Sequence, residues 1–458
     1  MRCSPALHHA QQSNFTNVVL SPRHHTSAIA TYPKLALTLA IGLACSPLGA
    51  ATSVSANMAD REYELQAVET ITVTGSKIKE STPTRLPLTA REIPQSFSEI
   101  TAEFINAANM LDLNDAMMNV PGVNVTLFDT QRPLYFARGF QITDFQVDGI
   151  PTYSGSTNQE YDIALYERVE IIRGANGLFS GVGSPSATVN MLRKRPGKEV
   201  TASLSASIGS WQMRRAVADI ATPLNADASI RSRMVLTGLD SESYLDRYQE
   251  KKLAGLFITE ADLSASTTLT LGIQGQDNKP EGSTWGTIPI YAADGSLAQL
   301  PVSTSYAPEW THWQRKTTTL FADISHNFDN NWHLKAALNR TKGEVSSLRV
   351  YANGFPDRES GSGLTLLAGV GASEDTRNSL DLYLTGSYLL LGQEHDLIIG
   401  ATLSELEART DLFSSVAGWS YQVPDAWHYD GTAPRPEYSK TGAYRIATTK
   451  QRGFYLAN

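Results

Sequence analysis

Residues 201–208 read T-A-S-L-S-A-S-I. Ala202, Leu204, Ala206 and Ile208 share one side, and Thr201, Ser203, Ser205 and Ser207 share the other. A period of two is that of a strand with one apolar and one polar face. The pattern returns at Leu269, Leu271 and Ile273 against Thr268 and Thr270, and at Leu320, Ala322 and Ile324. It recurs at Trp332, Leu334, Ala336 and Leu338, and at Leu380, Leu382 and Leu384 against Asp381, Tyr383 and Thr385. Tight turns are predicted at Leu224-Asn225-Ala226-Asp227, Asp329-Asn330-Asn331 and Gly392-Gln393-Glu394, with long excursions over 275–311 and roughly 406–444. A β-sandwich would alternate too, but with shorter strands and similar turns at both ends. Short turns at one end, long loops at the other and strands of about ten residues predict an antiparallel transmembrane β-barrel from 199 onward.

Composition agrees. The 458 residues carry a net charge of −8, and 41% are apolar; the mean hydropathy is −0.23. Half-apolar strands give such values. No basic cluster marks a nucleic-acid surface. Cys3 and Cys45 are the only cysteines. Lys34 precedes the apolar run Leu35–Ala44, and small residues follow at Leu48-Gly49-Ala50 and Val54-Ser55-Ala56. Charge, apolar run and small residues in that order predict a cleaved signal peptide within 1–56. Its removal would leave no thiol, and would also take away the histidine pairs His8-His9 and His24-His25. No other apolar run approaches the roughly 18 residues of a membrane-spanning helix.

Between leader and barrel, V-E-T-I-T-V-T-G at 68–75 alternates like a strand, and a Ser/Thr/Pro-rich linker runs on to Pro87. Residues 57–87 therefore read as a first edge strand, or as a peptide offered to a partner by strand addition. Residues 88–198 form an α+β block. Helices are predicted at 98–107, from Ile100, Phe104 and Ile105, and before the stop signal Pro121-Gly122. Met117 and Met118 read as core fillers. Strands are predicted at 145–151, running into the turn pair Asp148-Gly149, at 166–174, and at 186–192.

The block contains R-G-A-N-G-L-F-S-G-V-G-S-P at 173–185. A phosphate loop needs Gly-Lys-Ser/Thr at its end, and a dinucleotide loop needs a third glycine and then a helix. Here Gly183-Ser184-Pro185 leads into the strand-like T-V-N-M-L. The glycines 174, 177, 181 and 183 therefore read as tight turns in a confined space. A block that must fit inside a barrel supplies that space.

Several runs resemble the TonB-dependent outer-membrane siderophore receptors, most closely those for ferric coprogen, ferric rhodotorulic acid and ferric pyoverdines. E-T-I-T-V-T-G at 69–75 resembles their TonB box. I-P-Q-S at 93–96, L-D-L-N-D-A-M-M-N-V-P-G-V at 111–123, A-R-G-F at 137–140 and V-D-G-I-P at 147–151 resemble successive plug motifs. So do Y-E-R-V-E-I-I-R-G-A-N-G-L-F-S-G-V-G-S-P and T-V-N-M-L-R-K-R-P, while W-G-T-I-P-I-Y-A-A-D-G-S at 285–296 resembles an early extracellular loop. Ser186-Ala187 stands where the family usually has two glycines.

The resemblance implies an α+β plug domain followed by a barrel of about 22 strands. The chain has room for only about the first half of these strands. It is therefore expected to be the N-terminal part of a receptor, from an interrupted gene or a partial record. The leader ends too near Glu69 for an additional signalling domain.

The implied activity is uptake of a ferric siderophore, hydroxamate or pyoverdine in type, across a Gram-negative outer membrane. Glu69, Thr70, Ile71, Thr72, Val73, Thr74 and Gly75 would pair with TonB. The plug apices at 127–138 and 151–161 supply the ligand candidates Arg132, Tyr135, Arg138, Tyr153 and Tyr161. Arginine suits an anionic chelate and aromatic faces suit its apolar parts. Arg138 reads equally as part of a plug ion pair. Trp285, Tyr291 and Trp310 are the loop candidates, or else interfacial anchors. Gly139, Asp148, Gly149, Arg173, Gly174, Gly177, Gly181, Gly183, Pro185 and Asn190 are structural plug positions. Arg168, Glu170 and Arg173 are expected either at the plug–barrel interface or in pairs within the plug. The siderophore carries the iron, so no cofactor or metal ligand is expected. Partners are TonB, the ferric siderophore and outer-membrane lipid, with no nucleic acid, and no catalytic constellation stands out. Alternatives are a receptor for haem, cobalamin or an oligosaccharide, and a non-transporting remnant.

Overall fold

The structure, a computed structural model, describes residues 16–20, 95–152, 161–174, 185–414, 416 and 418–458. The proposed TonB box at Glu69–Gly75, Tyr153, Gly177, Gly181 and Gly183 lie outside the described residues. A short strand, β1 (Thr16–Leu20), precedes the plug. It falls in the segment read as a leader, so its pairing belongs to the uncleaved chain.

The plug is an α+β block. Strand β2 (Ser96–Thr101) leads into helix α1 (Ala102–Ala107), and helix α2 (Leu113–Met118) follows. Next come β3 (Val123–Leu127), β4 (Pro133–Ala137), β5 (Phe140–Gln141), β6 (Asp144–Val147) and β7 (Ile150–Pro151). Strands β8 (Tyr166–Arg173) and β9 (Ala187–Arg193) complete it. One sheet has the order β2-β8-β9-β6-β7, and a smaller one has β3-β4-β5. The helix predicted over 98–107 is half strand. Ile100 pairs with Val169 of β8, and this ladder holds the chain extended as far as Thr101. The Thr101 hydroxyl then caps α1 by accepting from the Phe104 N–H. Asp112 caps α2 in the same way, accepting from Asn114 and Asp115.

Ile105, Leu113, Met117, Phe145, Val169, Ile171, Val189 and Met191 fill the core. Met117 is buried as expected, but Met118, next to it, is 61% exposed. One residue further along a six-residue helix turns the side chain about 100° away from the core.

Asp148 and Gly149 turn β6 into β7 with φ of 52° and 79°. A two-residue hairpin with both φ positive favours Asp-Gly. The Gly149 N–H donates to Asn190 Oδ1 at 2.9 Å, and Asn190 Nδ2 donates to Glu170 Oε2 at 3.1 Å. Asn190, fully buried, thus ties the turn to the central strand. Asn190→Ala removes both bonds and should destabilise the plug by about 1–3 kcal/mol. Denaturant unfolding followed at the plug checks this. An unchanged midpoint would show that the two bonds contribute nothing net.

The segments after the plug form one antiparallel wall, as the alternation predicts. Its strands are β10 (Thr201–Ile208), β11 (Arg214–Pro223), β12 (Ile230–Glu242), β13 (Gln249–Ser264), β14 (Thr267–Glu281), β15 (His312–Asn327), β16 (His333–Gly354), β17 (Leu364–Leu390) and β18 (Gln393–Phe413). A short β19 (Ser420–Val423) pairs with β17, and β20 (Lys440–Ala457) pairs with β18. Each long strand hydrogen-bonds to the next in sequence, and β1 runs antiparallel along β10. The longest connections, 282–311, 355–363 and 414–439, all fall at one end. Turns at 265–266, 328–332 and 391–392 close the other.

Leu204, Met234, Leu236, Phe257, Leu271, Leu320, Leu338, Leu382 and Phe454 are exposed on the face turned away from the plug. Inward neighbours such as Arg215, Glu260, Gln276, Arg315 and Asp323 are buried and polar. Apolar outside and polar inside is the inverse of a water-soluble sheet and the pattern of a lipid-facing barrel wall.

The strands are longer than the expected ten residues. β16 has 22, β17 has 27 and β18 has 21. The ladder continues past the apolar band. The outward row Ile324–Ala336–Leu382–Ala401–Phe454 is wholly apolar. Four rows nearer the long loops, Lys316–Glu344–Glu374–Arg409–Ile446 is mostly charged. Hydrogen bonding sets strand length, whereas the membrane sets only the height of the apolar band.

Candidate functional site

The plug meets the long loops at the turn between β3 and β4. The Phe128 N–H donates to the Arg132 carbonyl at 3.1 Å and closes the turn. Asp129, buried at its apex, accepts from Gln131 N at 3.0 Å, Arg132 Nε at 2.7 Å and Gly286 N at 3.3 Å. Gly286 belongs to the 282–311 loop, so one carboxylate joins plug and loop. Thr130 and Thr284 add a reciprocal pair of bonds at 3.1 and 3.0 Å. Gln131 donates to the Tyr248 hydroxyl at 2.9 Å, and its side chain and carbonyl accept from Arg315 at 2.9 and 3.1 Å.

These contacts place three cations around one indole. The guanidinium carbons of Arg132, Arg315 and Arg349 lie 5.5, 4.7 and 4.5 Å from the Trp313 ring centroid. Arg132 also covers Phe128 at 4.5 Å, and Arg349 covers Trp285 at 4.4 Å. Trp285 stands edge-on to Tyr351 at 5.1 Å. It packs on Gly369, where an added Cβ would come within 2.5 Å of the ring. Arg132, Trp313, Arg315 and Arg349 line a cavity of about 340 Å³.

Arg349 lies in the part of β16 beyond the apolar band. Burial, and then repulsion from Arg132, push its guanidinium down to about 10, with Asp129 opposing the shift. It stays cationic at neutral pH. Its Nε is buried without a hydrogen-bond partner, and no carboxylate lies in salt-bridge reach of it among the described residues. Three guanidinium groups gathered around the buried Trp313 indole, with the Asp129 carboxylate beside Arg132, suit an anionic ligand carrying flat or apolar parts.

The expected site residues separate. Arg132 and Trp285 come together in this cluster. Tyr135 does not: it is 3% exposed, its hydroxyl donates to Asn114 Oδ1, and its ring packs on Phe145. Alternation along β4 turns position 135 inward, which makes it a core residue. Arg138 stands at the opposite end of β4 from Arg132, with its guanidinium against Gly174. Gly174 has φ of 130°, and an added Cβ would meet Arg138 Nη1 at 2.9 Å. Tyr161 packs on the plug core, and its carbonyl accepts from Leu113 N at 2.9 Å.

Trp310 joins a separate apolar cluster within the loops, donating to the Ala433 carbonyl at 2.8 Å. Tyr291 is half exposed in a small loop hairpin. Trp313, Arg315, Arg349, Asp129 and Gln131 were not anticipated. The available signal was Trp313-Gln314-Arg315 at the loop end of β15, where alternate residues share the inward face.

A second polar zone joins plug to wall. Arg215 Nη2 and Nη1 bind both carboxylate oxygens of Asp162 at 2.6 and 2.8 Å, and Gln276 accepts from the Asp162 N–H at 3.0 Å. Arg193 Nε donates to Gln274 at 2.7 Å, and its guanidinium covers Phe321 at 4.0 Å. Lys194 reaches Asp219 at 2.9 Å, and Arg195 reaches Glu260 at 3.1 Å and Asp323 at 3.4 Å. Asp148 accepts from Arg193 N and Nη1. Burial alone would raise the Asp148 carboxyl, but Arg193, Arg195 and Lys335 outweigh it and hold it below the usual carboxylate range.

Among the described residues, Arg168, Glu170 and Arg173 make polar contacts within the plug. Arg168 pairs with Glu99 at 3.2 Å and Glu170 at 2.9 Å, and Arg173 donates to Ser96 and Ser98. On the plug side, the run Arg193-Lys194-Arg195, where the chain passes from plug to wall, supplies cations to the interface.

A family profile described as the TonB-dependent receptor plug domain matches residues 89–188. The ferripyoverdine receptor of Pseudomonas aeruginosa is 34% identical over 82% of this chain and 47% of its own length. The ferric-pyoverdine BN7/BN8 receptor of Pseudomonas putida is 33% identical over 80% of this chain and 46% of its own length. A crystal structure of the ferripyoverdine receptor of the Pseudomonas aeruginosa outer membrane, bound to ferripyoverdine, superposes with a TM-score of 0.79 at 33% identity. It covers 82% of this chain and 51% of that one. The chain spans about half the length of the curated relatives it matches.

Proposed function

The chain is a TonB-dependent receptor sequence related to the ferripyoverdine receptors, a family of transporters and not enzymes, and on that premise we propose that it serves energised uptake of a ferric siderophore. The observation that carries the reading is the Trp313 indole ringed by Arg132, Arg315 and Arg349 where plug and loops meet. An anionic iron chelate of hydroxamate or pyoverdine type finds charge and aromatic surface there, and it brings its own metal. In this reading residues 1–56 are a cleaved signal, 57–87 hold the TonB box and linker, 88–198 the plug, and 199–458 barrel strands in the outer membrane. Glu69–Gly75 would add as a strand to TonB, and a pull there would act on the plug.

The test is quenching of tryptophan fluorescence in the purified chain in detergent. It is titrated in parallel with a ferric pyoverdine, a ferric hydroxamate, haem, cobalamin and a neutral oligosaccharide. A ferric siderophore should saturate at the lowest concentration. Saturation by haem, cobalamin or the sugar, with none by either ferric chelate, would overturn the reading.

A further inference from the structure

The wall is not continuous beyond its apolar band. The β17–β18 ladder ends at Ser373 and Thr410, and the β17–β19 ladder resumes at Leu367 and Ser420. Between them the chain arcs away from β17. Phe413 pairs with Lys440 of β20, and the Ser414 N–H donates to the Ser439 carbonyl at 2.9 Å. Residues 368–372 of β17 therefore have β16 on one side and, among the described residues, no strand on the other. This open edge lies nearer the long loops than the charged row Lys316–Glu344–Glu374–Arg409. It stands outside hydrocarbon, where an unpaired ladder edge is tolerated. The window along 368–372 is about 17 Å long, at about 3.4 Å per residue.

The window opens inward on the arginine cluster. Val345, Ser347, Gly371, Ala372 and Ser373 line both the cavity of about 340 Å³ described above and a second one of about 490 Å³. Residues 368–372 read A-G-V-G-A. An added Cβ on Gly371 would lie 3.0 Å from Ser347 Oγ and 3.6 Å from Arg349 Nη2, so it is the inward side that lacks a side chain. Glycine inside a strand weakens it, and marks places where a ligand or another backbone approaches closely. The second cavity differs in chemistry from the first. Lys316, Lys440, Glu344, Glu374 and Asp411 line it, and Lys440 holds Asp411 at 2.6 Å. Phe413 and Tyr438 stand edge to face on its rim at 5.8 Å. Nearly balanced charge beside serine hydroxyls and an aromatic pair suits a polar chain more than a second anion.

We propose that this window takes an extended, amide-bearing arm of the ligand whose chelate lies among the arginines, and that the arm adds as a strand to residues 368–372. Alternate residues of an antiparallel strand turn both N–H and C=O to the same side, so at least two residues of this stretch offer both groups to the window. Main-chain pairing of this kind gives affinity whatever side chains the arm carries. The bound chelate raises the arm's local concentration, so a short ladder is enough. The inference rests on the uptake reading and narrows it to chelates that carry a peptide-like chain.

The full chain in detergent is titrated with three forms of one ferric trihydroxamate: bare, with a pentaserine arm, and with that arm methylated at every amide nitrogen. Tryptophan quenching reads affinity, and hydrogen exchange reads the backbone at 368–372. The pentaserine form should bind about tenfold tighter than the bare one, equivalent to about 1.4 kcal/mol. It should also slow exchange at 368–372 by about tenfold or more. Methylation removes the arm's donors and should return both readings to those of the bare form. Gly371→Leu, which fills the inner side of the window, should bring the ratio of the two affinities close to one. Equal binding of the bare and pentaserine forms would overturn the proposal and leave the uptake reading standing. So would a gain that survives methylation, or one without protection at 368–372. Absence of binding by all three forms also overturns it, and the uptake reading then stands or falls on the titration with ferric pyoverdine.

Discussion

Asp162→Ala should loosen the plug from the wall by about 3–5 kcal/mol, the loss expected when one partner of a buried ion pair is removed. Asp162 is 1% exposed and Arg215 is 8% exposed. The carboxylate receives both terminal guanidinium nitrogens, and its Oδ1 also accepts from the Ala164 N–H. Truncation leaves the Arg215 charge buried against the plug with its main counter-charge gone. Hydrogen exchange at the backbone of β8 and β9, measured on the full chain, should accelerate roughly hundredfold or more. Asp162→Ala combined with Arg215→Met should recover much of the protection, since removing both charges also removes the desolvation cost. Exchange within threefold of the parent in the Asp162→Ala chain would show that the pair does not hold the plug.

Trp313→Ala should weaken binding of a ferric siderophore by about 2 kcal/mol or more, about thirtyfold in Kd, the scale of an aromatic hot spot. The indole lies within 5.5 Å of the guanidinium carbons of all three arginines of the cavity. Without it the guanidinium groups lose the surface that spaces them. Trp313→Phe keeps a smaller ring and should retain an intermediate affinity. Tyr291→Ala, in the exposed hairpin of the 282–311 loop, should stay within about twofold. Direct titration by radioactive iron uptake onto the immobilised chain reads all three. Equal affinities for the parent and the Trp313→Ala chain would remove the cluster from the binding site.

The wall was legible from Leu204, Leu271, Leu320 and Leu382, because a strand with one face in lipid and one in a polar interior must alternate. The plug's strands and its Asp148-Gly149 turn were legible for similar local reasons. Local pattern misled where tertiary pairing overrode it. Ile100 has helical spacing, yet the open edge of β8 keeps it extended. Tyr135 has the residue type of a ligand contact, but its register in β4 turns it into the core. The site itself was half visible. Arg132 and Trp285 carry their meaning in their own segments. Arg315 meets the plug through Gln131, which lies 184 positions away. No periodicity within a segment encodes such a meeting. It follows from the register of the wall and the height of the plug.

The loops that frame the cavity have an apolar core of their own. Tyr306, Val350, Leu364, Leu366 and Val423 pack together, with Trp310, Trp419 and Tyr429 against them. The Tyr306 hydroxyl donates to the Ala426 carbonyl at 2.9 Å, and Arg247 clamps the carbonyls of Ser305 and Ala307. Fixing a loop residue costs about 1–2 kcal/mol in conformational entropy. A mouth that gained its order only on ligand arrival would lose most of its affinity to that cost. Here folding has already ordered it. On the proposed uptake reading, a ligand would meet a rim already ordered by folding, and little of its binding energy would go into fixing loops.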